Sequence, residues 1–375
     1  MSAGIPLRIF HCADLHLGLR FSRYPDEVAA QLRDARFSTL ERMVARANAD
    51  ACDLFVVAGD LFDTLKVAQR DVARAAKILA GFDRVVALLP GNHDFHAGGA
   101  DDFWKAFPRP EHGRVLLLDE YRPYPLREFG IDAVLYPSHC DEKKSEGRNA
   151  LGWLGAAARP EARFHVGIAH GSFEGLSPDL EGDYFPMTHA ELEAHKLDLW
   201  LLGHIHVQYP PKPGAGQRVF YSGTHEPDGM DCRHEGKSWR LDLHDDKSVV
   251  ATSVSTGAFR FEDTEVEVRA GSELEQLLSR FPADASRNRL LRLRLRGSLP
   301  REAFEELPGL VEKLKARLLH FEPDFSGLRL ALTAADIDRE YPRGGFAHRL
   351  LTSLAAAESD REALQAAFEL LGDGK

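Results

Sequence analysis

Leu54-Phe55-Val56-Val57-Ala58-Gly59-Asp60-Leu61-Phe62-Asp63 is the stretch on which the reading of this chain turns. Five apolar residues, rich in β-branched and aromatic types, stop at a glycine, and two carboxylates follow. A short apolar run bounded by a turn signal reads as a buried strand. The same design recurs on both sides. The run at residues 7–13 ends at Asp14-Leu15-His16, and that at 85–89 ends at Pro90-Gly91-Asn92-His93-Asp94. The run at 164–169 ends at His170-Gly171, and that at 199–202 ends at Gly203-His204-Ile205-His206. Each delivers carboxylate, imidazole or carboxamide at its carboxyl end, and none delivers a thiolate.

Between these runs lie helical patterns. Over residues 27–48, Leu32, Phe37, Leu40, Met43 and Val44 recur at helical spacing, and helices are predicted at 67–82 and 188–196. Further strands are predicted at 133–136 and 219–222. Alternating strand and helix signals argue for a layered α/β architecture. In such folds ligands sit on loops at the carboxyl ends of the strands, where every polar cluster here falls.

The character changes near residues 261–271. A connecting strand at 262–269 leads to Ser272-Glu273-Leu274-Glu275, a capping-box pattern opening a helix. A strand at 289–296, a helix at 301–319 and a strand at 328–332 complete an α+β unit. Tyr341-Pro342-Arg343-Gly344-Gly345 reads as a linker to two amphipathic helices at 346–357 and 361–371. The expected domains are therefore 1–262, 263–340 and 341–375.

Bulk composition excludes several classes. The 375 residues are 44% hydrophobic and 28% charged, a globular balance. No apolar run approaches the roughly 18 residues that span a membrane. Residues 1–6 lack a charged stretch before an apolar core, so no secretory signal is expected. Cys12, Cys52, Cys140 and Cys232 are widely spaced, which fits reduced thiols and a cytoplasmic setting. A net charge of −11 argues against a general nucleic-acid coat protein but leaves room for local binding.

The donor types suit two hard to borderline divalent ions, manganese first, with iron or zinc as alternatives. Asp60 is the natural bridge, because a carboxylate offers two oxygens. Asp14 with His16, and His204 with His206, are each spaced by two, so both members of a pair can face one ion. Asn92 and His170 complete the set. Ions about 3.5–4 Å apart hold a hydroxide that attacks phosphorus. His93 is then placed to protonate the leaving oxygen, with Asp94 orienting its imidazole.

These motifs resemble the calcineurin-like metallophosphoesterase superfamily, whose pattern is Asp-x-His, Gly-Asp-x-x-Asp, Gly-Asn-His-Asp/Glu, a lone His and Gly-His-x-His. All five occur in order over residues 14–206. The resemblance implies a two-sheet αββα sandwich, with Asp14, His16, Asp60 and His206 around one ion. Asp60, Asn92, His170 and His204 would surround the other, with His93 as acid. Phe10 to Gly18, Val57 to Asp63 and Leu197 to His206 resemble more narrowly the DNA-repair exonucleases of the SbcD type, including the YhaO-like branch. The small C-terminal unit resembles that group's capping domain. This implies DNA as substrate, a homodimer and an SbcC-like coiled-coil ATPase partner, for which the terminal helices are a docking candidate, the other reading being that they pack on their own domain.

Other residues stand beside this scheme. Asp63 is read as a supporting carboxylate and His11 as a core histidine. His96, His139 and His225 are minor candidates to approach the site from loops. Arg292, Arg294 and Arg296 alternate with Leu291, Leu293 and Leu295, so one strand face lines up three cations. They are candidates for DNA phosphate contacts, the plain alternative being a solvated face paired with acidic residues. The expected activity is hydrolysis of DNA phosphodiesters. The alternatives are a phosphatase or phosphodiesterase for nucleotides or other small molecules, and a non-catalytic scaffold.

Overall fold

In the computed structural model, which describes residues 4–100, 102–108, 113–176, 182–284, 286–356 and 361–372, each apolar run becomes a strand. In chain order the first strands are β1 Leu7–Cys12, β2 Leu54–Ala58, β3 Val85–Leu89, β4 Val115–Leu117, β5 Tyr124–Pro125, β6 Ala133–Ser138 and β7 Phe164–His170. They are followed by β8 Leu199–Gly203, β9 Val219–Tyr221, β10 Lys237–Leu243, β11 Val249–Ser255, β12 Arg260–Val268, β13 Arg289–Leu299 and β14 His320–Leu330. The helices are α1 Asp26–Ala49, α2 Gln69–Leu79, α3 His189–Ala194, α4 Gly271–Ser279 and α5 Arg301–Glu305. Then come α6 Leu307–Arg317, α7 Ala334–Glu340, α8 Phe346–Ala355 and α9 Arg361–Gly372. The chain divides into two compact units, Met1–Arg260 and Phe261–Lys375.

Two sheets build the first unit. One runs β11-β10-β1-β2-β3-β4, with β1 to β4 parallel and β10 antiparallel to both β1 and β11. The other runs β5-β6-β7-β8-β9, with β6 to β9 parallel. Strand alternation sorts the side chains. Ile9, Val56 and Ala87 meet Leu135, Ile168, Leu201 and Phe220 in the core between the sheets. Phe10, Phe55, Val57 and Leu88 point the other way, onto Phe37, Leu40 and Met43 of α1 and Val72 and Leu79 of α2. Tyr136, Trp200 and Tyr221 on the second sheet's outer face pack with Leu192 of α3. Because both faces of each sheet are covered, the central strands are apolar throughout, which is why they read as runs rather than alternations. The result is an αββα sandwich. Burying one such Leu or Phe contributes roughly 1.5–3 kcal/mol.

Strands β10 and β11 escaped the sequence reading. Val249–Ser255 is mostly exposed or half-buried along its length, so no apolar run marks it. Their pairing comes from β10 lying against β1 and β11 against β10, not from local pattern.

In the second unit β13 lies between β12 and β14, with β13 and β14 parallel. The expected helix 301–319 is two helices, broken ahead of Pro308, which cannot donate to a preceding turn. The expected strand 328–332 is the longer β14, which begins at His320 and tolerates Pro323 because it is an edge strand. The cap of α4 lies two residues earlier than read: Glu273 accepts the Ala270 amide at 3.1 Å. Helix α7, unforeseen, has its own reciprocal cap, Thr333 with Asp336. Helices α8 and α9 share with α7 a cluster of Ile337, Tyr341, Leu351 and Leu364.

In the arginine row of β13 the structure shows the acidic pairing that was the alternative to phosphate contacts. Leu291, Leu293 and Leu295 are fully buried, as the alternation requires. Arg292 pairs with Glu322 at 2.9 Å and Asp263 at 3.7 Å. Arg294 pairs with Asp263 at 2.8 Å, and Arg296 with Glu265 at 3.0 Å. Carboxylates on the two flanking strands pair with the row, which forms a cross-strand ion ladder.

Candidate metal centre

The strand ends are stitched together by backbone hydrogen bonds. The amides of Asp14, His16 and Leu17 donate to the carbonyls of Gly59, Asp60 and Leu61 at 3.1, 3.0 and 2.9 Å. Holding these turns so close forces unusual backbone. Asp14, His16, Asp60 and His204 all have positive φ, at 55°, 41°, 53° and 100°. Residues with a Cβ rarely sit there, and such strain gathers at sites where geometry matters more than local energy. Two glycines make the approach feasible. A Cβ on Gly59, itself at φ 94°, would lie 2.0 Å from His170 Nδ1, and one on Gly91 would lie 2.2 Å from Asp60 Oδ1.

All seven expected ligands converge. Asp14, Asp60, Asn92, His170 and His16 are buried, and His204 and His206 are half-buried. Ligand atoms of Asp14, His16 and His206 lie within 4.8 Å of one another, as do those of Asp14, Asp60 and His170. Asp60 Oδ2 is 3.4 Å from His170 Nε2 and 3.7 Å from His16 Nε2, on the side between the two groups. Asn92 Oδ1 faces His170 Nε2 at 3.0 Å and His204 Nδ1 at 3.2 Å. His16 Nε2 and His206 Nε2 face each other at 3.2 Å.

The electrostatics are those of a cation site. Burial opposes the charge of Asp60, but His170, His16 and His93 outweigh it and hold the carboxyl well below the usual range. Burial likewise opposes charge on His170, yet Asp60 and Asp14 raise it to about 9. Burial drives Asp14 up, against the pull of His170 and His206. It drives His16 well down, leaving a neutral imidazole whose Nδ1 has no hydrogen-bond partner. Buried carboxylates crowded this closely repel unless a positive charge lies among them. Facing imidazole nitrogens likewise need a proton or a cation between them. The donor set therefore fits a pair of divalent ions.

His93 lies at the rim of this cluster. Its amide donates to Asp60 Oδ1 at 2.8 Å, and its ring is 4.7 Å from that of His16, edge-on. Its Nδ1 donates to the Asp63 carbonyl at 2.9 Å, so Nε2 is the atom left for a substrate. Asp94 does not orient this ring, contrary to expectation. Its two oxygens accept from the amides of Gly91 at 2.8 Å and Phe62 at 3.0 Å, which clips the loops of Asp60 and Asn92 together. Asp63 takes the supporting role, through its carbonyl to His93 and its carboxylate 3.6 Å from His16 Nδ1.

Three supporting residues were not read from the sequence. Asp228 Oδ2 accepts from His206 Nδ1 at 2.9 Å and turns Nε2 toward the centre. Arg36, buried on α1, donates through Nε to the Leu15 carbonyl at 2.8 Å. Thr224 Oγ1 donates to the Asp14 carbonyl at 2.8 Å. All three come from distant segments, and only a general excess of polar residues at 222–228 hinted at them. His225 lies outside the centre, its Nε2 against the Arg36 carbonyl at 3.0 Å. His139 stacks on Tyr121 at 4.2 Å, and His96 sits 3.0 Å from Asp102. Neither belongs to the donor groups found among the described residues. His11 is fully buried, and burial lowers it to about 3.

Comparison with known proteins agrees with this geometry. Residues 7–208 match the model of the calcineurin-like phosphoesterase family. The chain is 29% identical over 211 residues to the uncharacterized metallophosphoesterase YhaO of Bacillus subtilis, covering 53% of this chain and 48% of that one. It is 27% identical over 235 residues to the DNA double-strand break repair protein Mre11 of Methanopyrus kandleri, covering 59% and 49%. The chain thus spans about half the length of the curated relatives it matches. It belongs to the calcineurin-like phosphoesterase family, metal-dependent hydrolases that bind two divalent ions.

Proposed function

We propose that the protein hydrolyses DNA phosphodiester bonds in a repair setting, using a pair of manganese ions. The observation that carries the reading is the convergence of seven donors, Asp60 among them, with His93 held at their edge. Asp14, His16, Asp60 and His206 would hold one ion; Asp60, Asn92, His170 and His204 would hold the other. Bound there, the ions supply Lewis acidity: they neutralise charge on the phosphate oxygens and make water nucleophilic near neutral pH. The chain's own groups do the rest. Asp60 and Asp14 fix the imidazoles, Asp228 sets the tautomer of His206, and the Asp63 carbonyl fixes that of His93. Protonated at Nε2, His93 donates to the leaving oxygen, a contribution of typically 10²–10⁴-fold.

DNA is favoured over a small ester by the company the sequence keeps: a relative whose name is a DNA double-strand break repair protein. A second unit, superfluous for a small substrate, points the same way. Its terminal helices leave Phe346 72% and Leu370 76% exposed, which supports the expected docking of a coiled-coil ATPase there, in a homodimer. All four cysteines are free, in keeping with a reducing cytoplasm. Among the described residues no helix is long and apolar enough to cross a membrane.

The test compares manganese-dependent hydrolysis of linear DNA and of a chromogenic phosphodiester by wild type and His93→Ala. DNA cleavage by the wild type, lost in the variant with both ions still bound, is the expected result. Cleavage of the small ester alone would replace the DNA reading with a small-molecule phosphodiesterase.

A further inference from the structure

With the arginines of β13 each matched to a carboxylate, the unmatched cations near the centre lie elsewhere. Arg20, Arg23 and Lys66 are exposed, Arg33 is half-buried, and no ion pair to a carboxylate holds any of them among the described residues. Arg33 Nη1 donates instead to the Arg20 carbonyl at 3.0 Å. Of these, Arg33 helps to line a groove of about 410 Å³ between α1 and α2, with Gly18, Arg70 and Arg74. Its two carboxylates are already engaged: Asp34 with Arg74 at 2.7 Å and Asp71 with Arg70 at 3.7 Å. Arg33 and the three loop cations are therefore in excess, in a chain whose net charge is −11. Asp26 and Glu27 follow Arg23 closely in sequence, but no ion pair joins them to it among the described residues.

The placement of this charge is specific. Gly18 lies two residues beyond His16, and the Leu19 amide donates to the His16 carbonyl at 3.1 Å. The Asp63 amide donates to the Leu17 carbonyl at 3.1 Å, and Leu17 and Phe62 form a β-bridge. Arg20 and Arg23 thus extend the loop that holds His16, and Lys66 extends the loop that holds Asp60. A groove of this volume with guanidinium walls suits an anion, and guanidinium matches phosphate geometry in particular. Unmatched like charges repel until a polyanion neutralises them.

We infer that this groove and its loop cations bind the non-reacting phosphates of a polynucleotide strand whose scissile phosphate lies at the metal centre. The inference rests on the DNA-hydrolase reading above. Because the contacts are ionic, they release counterions, and binding weakens with salt at about 0.7 in log–log slope per phosphate on a single strand.

The experiment measures binding of a fluorescent phosphorothioate oligonucleotide, which resists cleavage, to the full chain at several salt concentrations. Wild type is compared with the combined Arg20→Gln, Arg23→Gln and Lys66→Gln variant. A charge-matched control carries Arg122→Gln, Arg127→Gln and Lys196→Gln, exposed cations on other elements. The expected result is a slope smaller by about 2 in the first variant, three contacts at 0.7 each, and unchanged in the control. Equal slopes in wild type and the first variant, with wild type binding well, overturn the inference alone. An equal loss in both variants reduces it to net charge and also overturns it. Wild type that hydrolyses a chromogenic phosphodiester but neither binds nor cleaves DNA removes the DNA reading, and the inference with it.

Discussion

Replacing Asp228 tests whether the site is built as a metal centre rather than as a polar cluster. Asp228 touches no other donor of the site; its carboxylate meets His206 Nδ1 at 2.9 Å. Loss of such an outer partner typically weakens metal affinity 10–100-fold, about 1.4–2.7 kcal/mol. The two side chains are 23% and 38% exposed, so water screens part of the interaction and the lower end applies. Asp228→Ala should therefore weaken one ion about tenfold. Asp228→Asn keeps an oxygen for the Nδ1 hydrogen but loses the charge. A charge-assisted bond is roughly twice as strong as a neutral one, so about half the free energy, or threefold, should go. The assay is a manganese titration of the full chain against a chromogenic chelator, resolved into two binding events. Only the ion on the Asp14, His16 and His206 side should respond. Both affinities of Asp228→Ala within twofold of wild type would refute the positioning role. Equal weakening of both ions would refute the division of ligands between them.

Three further outcomes are expected. Gly59→Ala forces φ 94° on alanine, costing about 1–2 kcal/mol, and drives its Cβ into the His170 ring; unfolding should shift to lower denaturant and one ion should be lost on titration. His11, lowered to about 3 by burial against an unfolded value near 6.5, binds fewer protons folded than unfolded between those values. Stability should therefore fall as pH drops from about 6.5 toward 3, and the fall should be shallower in His11→Gln, measured by urea unfolding across that range. Replacing Arg292, Arg294 and Arg296 by Gln should cost up to about 1 kcal/mol per residue and leave the salt slope of oligonucleotide binding unchanged; a reduced slope would restore the row as a phosphate face.

Much of the site was legible because it is written in short range. Asp14 with His16, or His204 with His206, keeps its spacing wherever the strands go, and the glycines at 59, 91 and 203 mark the tight turns beside them. The fold was legible for the same reason: β2 and β3 are five-residue apolar runs with their bounds in plain view. What failed to show was whatever depends on a neighbour. Strand β11 has no apolar run of its own, and β14 hides behind Pro323. Asp94 looks like a partner for His93 because it follows it, yet its oxygens go to the amides of Gly91 and Phe62.

By itself the sequence determined the layered α/β class and singled out the seven metal-ligand candidates and His93, since residue type and local spacing mark these directly. Tertiary structure alone decided which charges cancel. Arg292, Arg294 and Arg296 are indistinguishable in sequence from a phosphate-binding row, but flanking strands about 30 residues away bring Asp263, Glu265 and Glu322 into contact. Arg20, Arg23 and Lys66 meet no such partner among the described residues. Coulomb energy depends on distance through space, and distance through space is what a linear chain does not display until it folds.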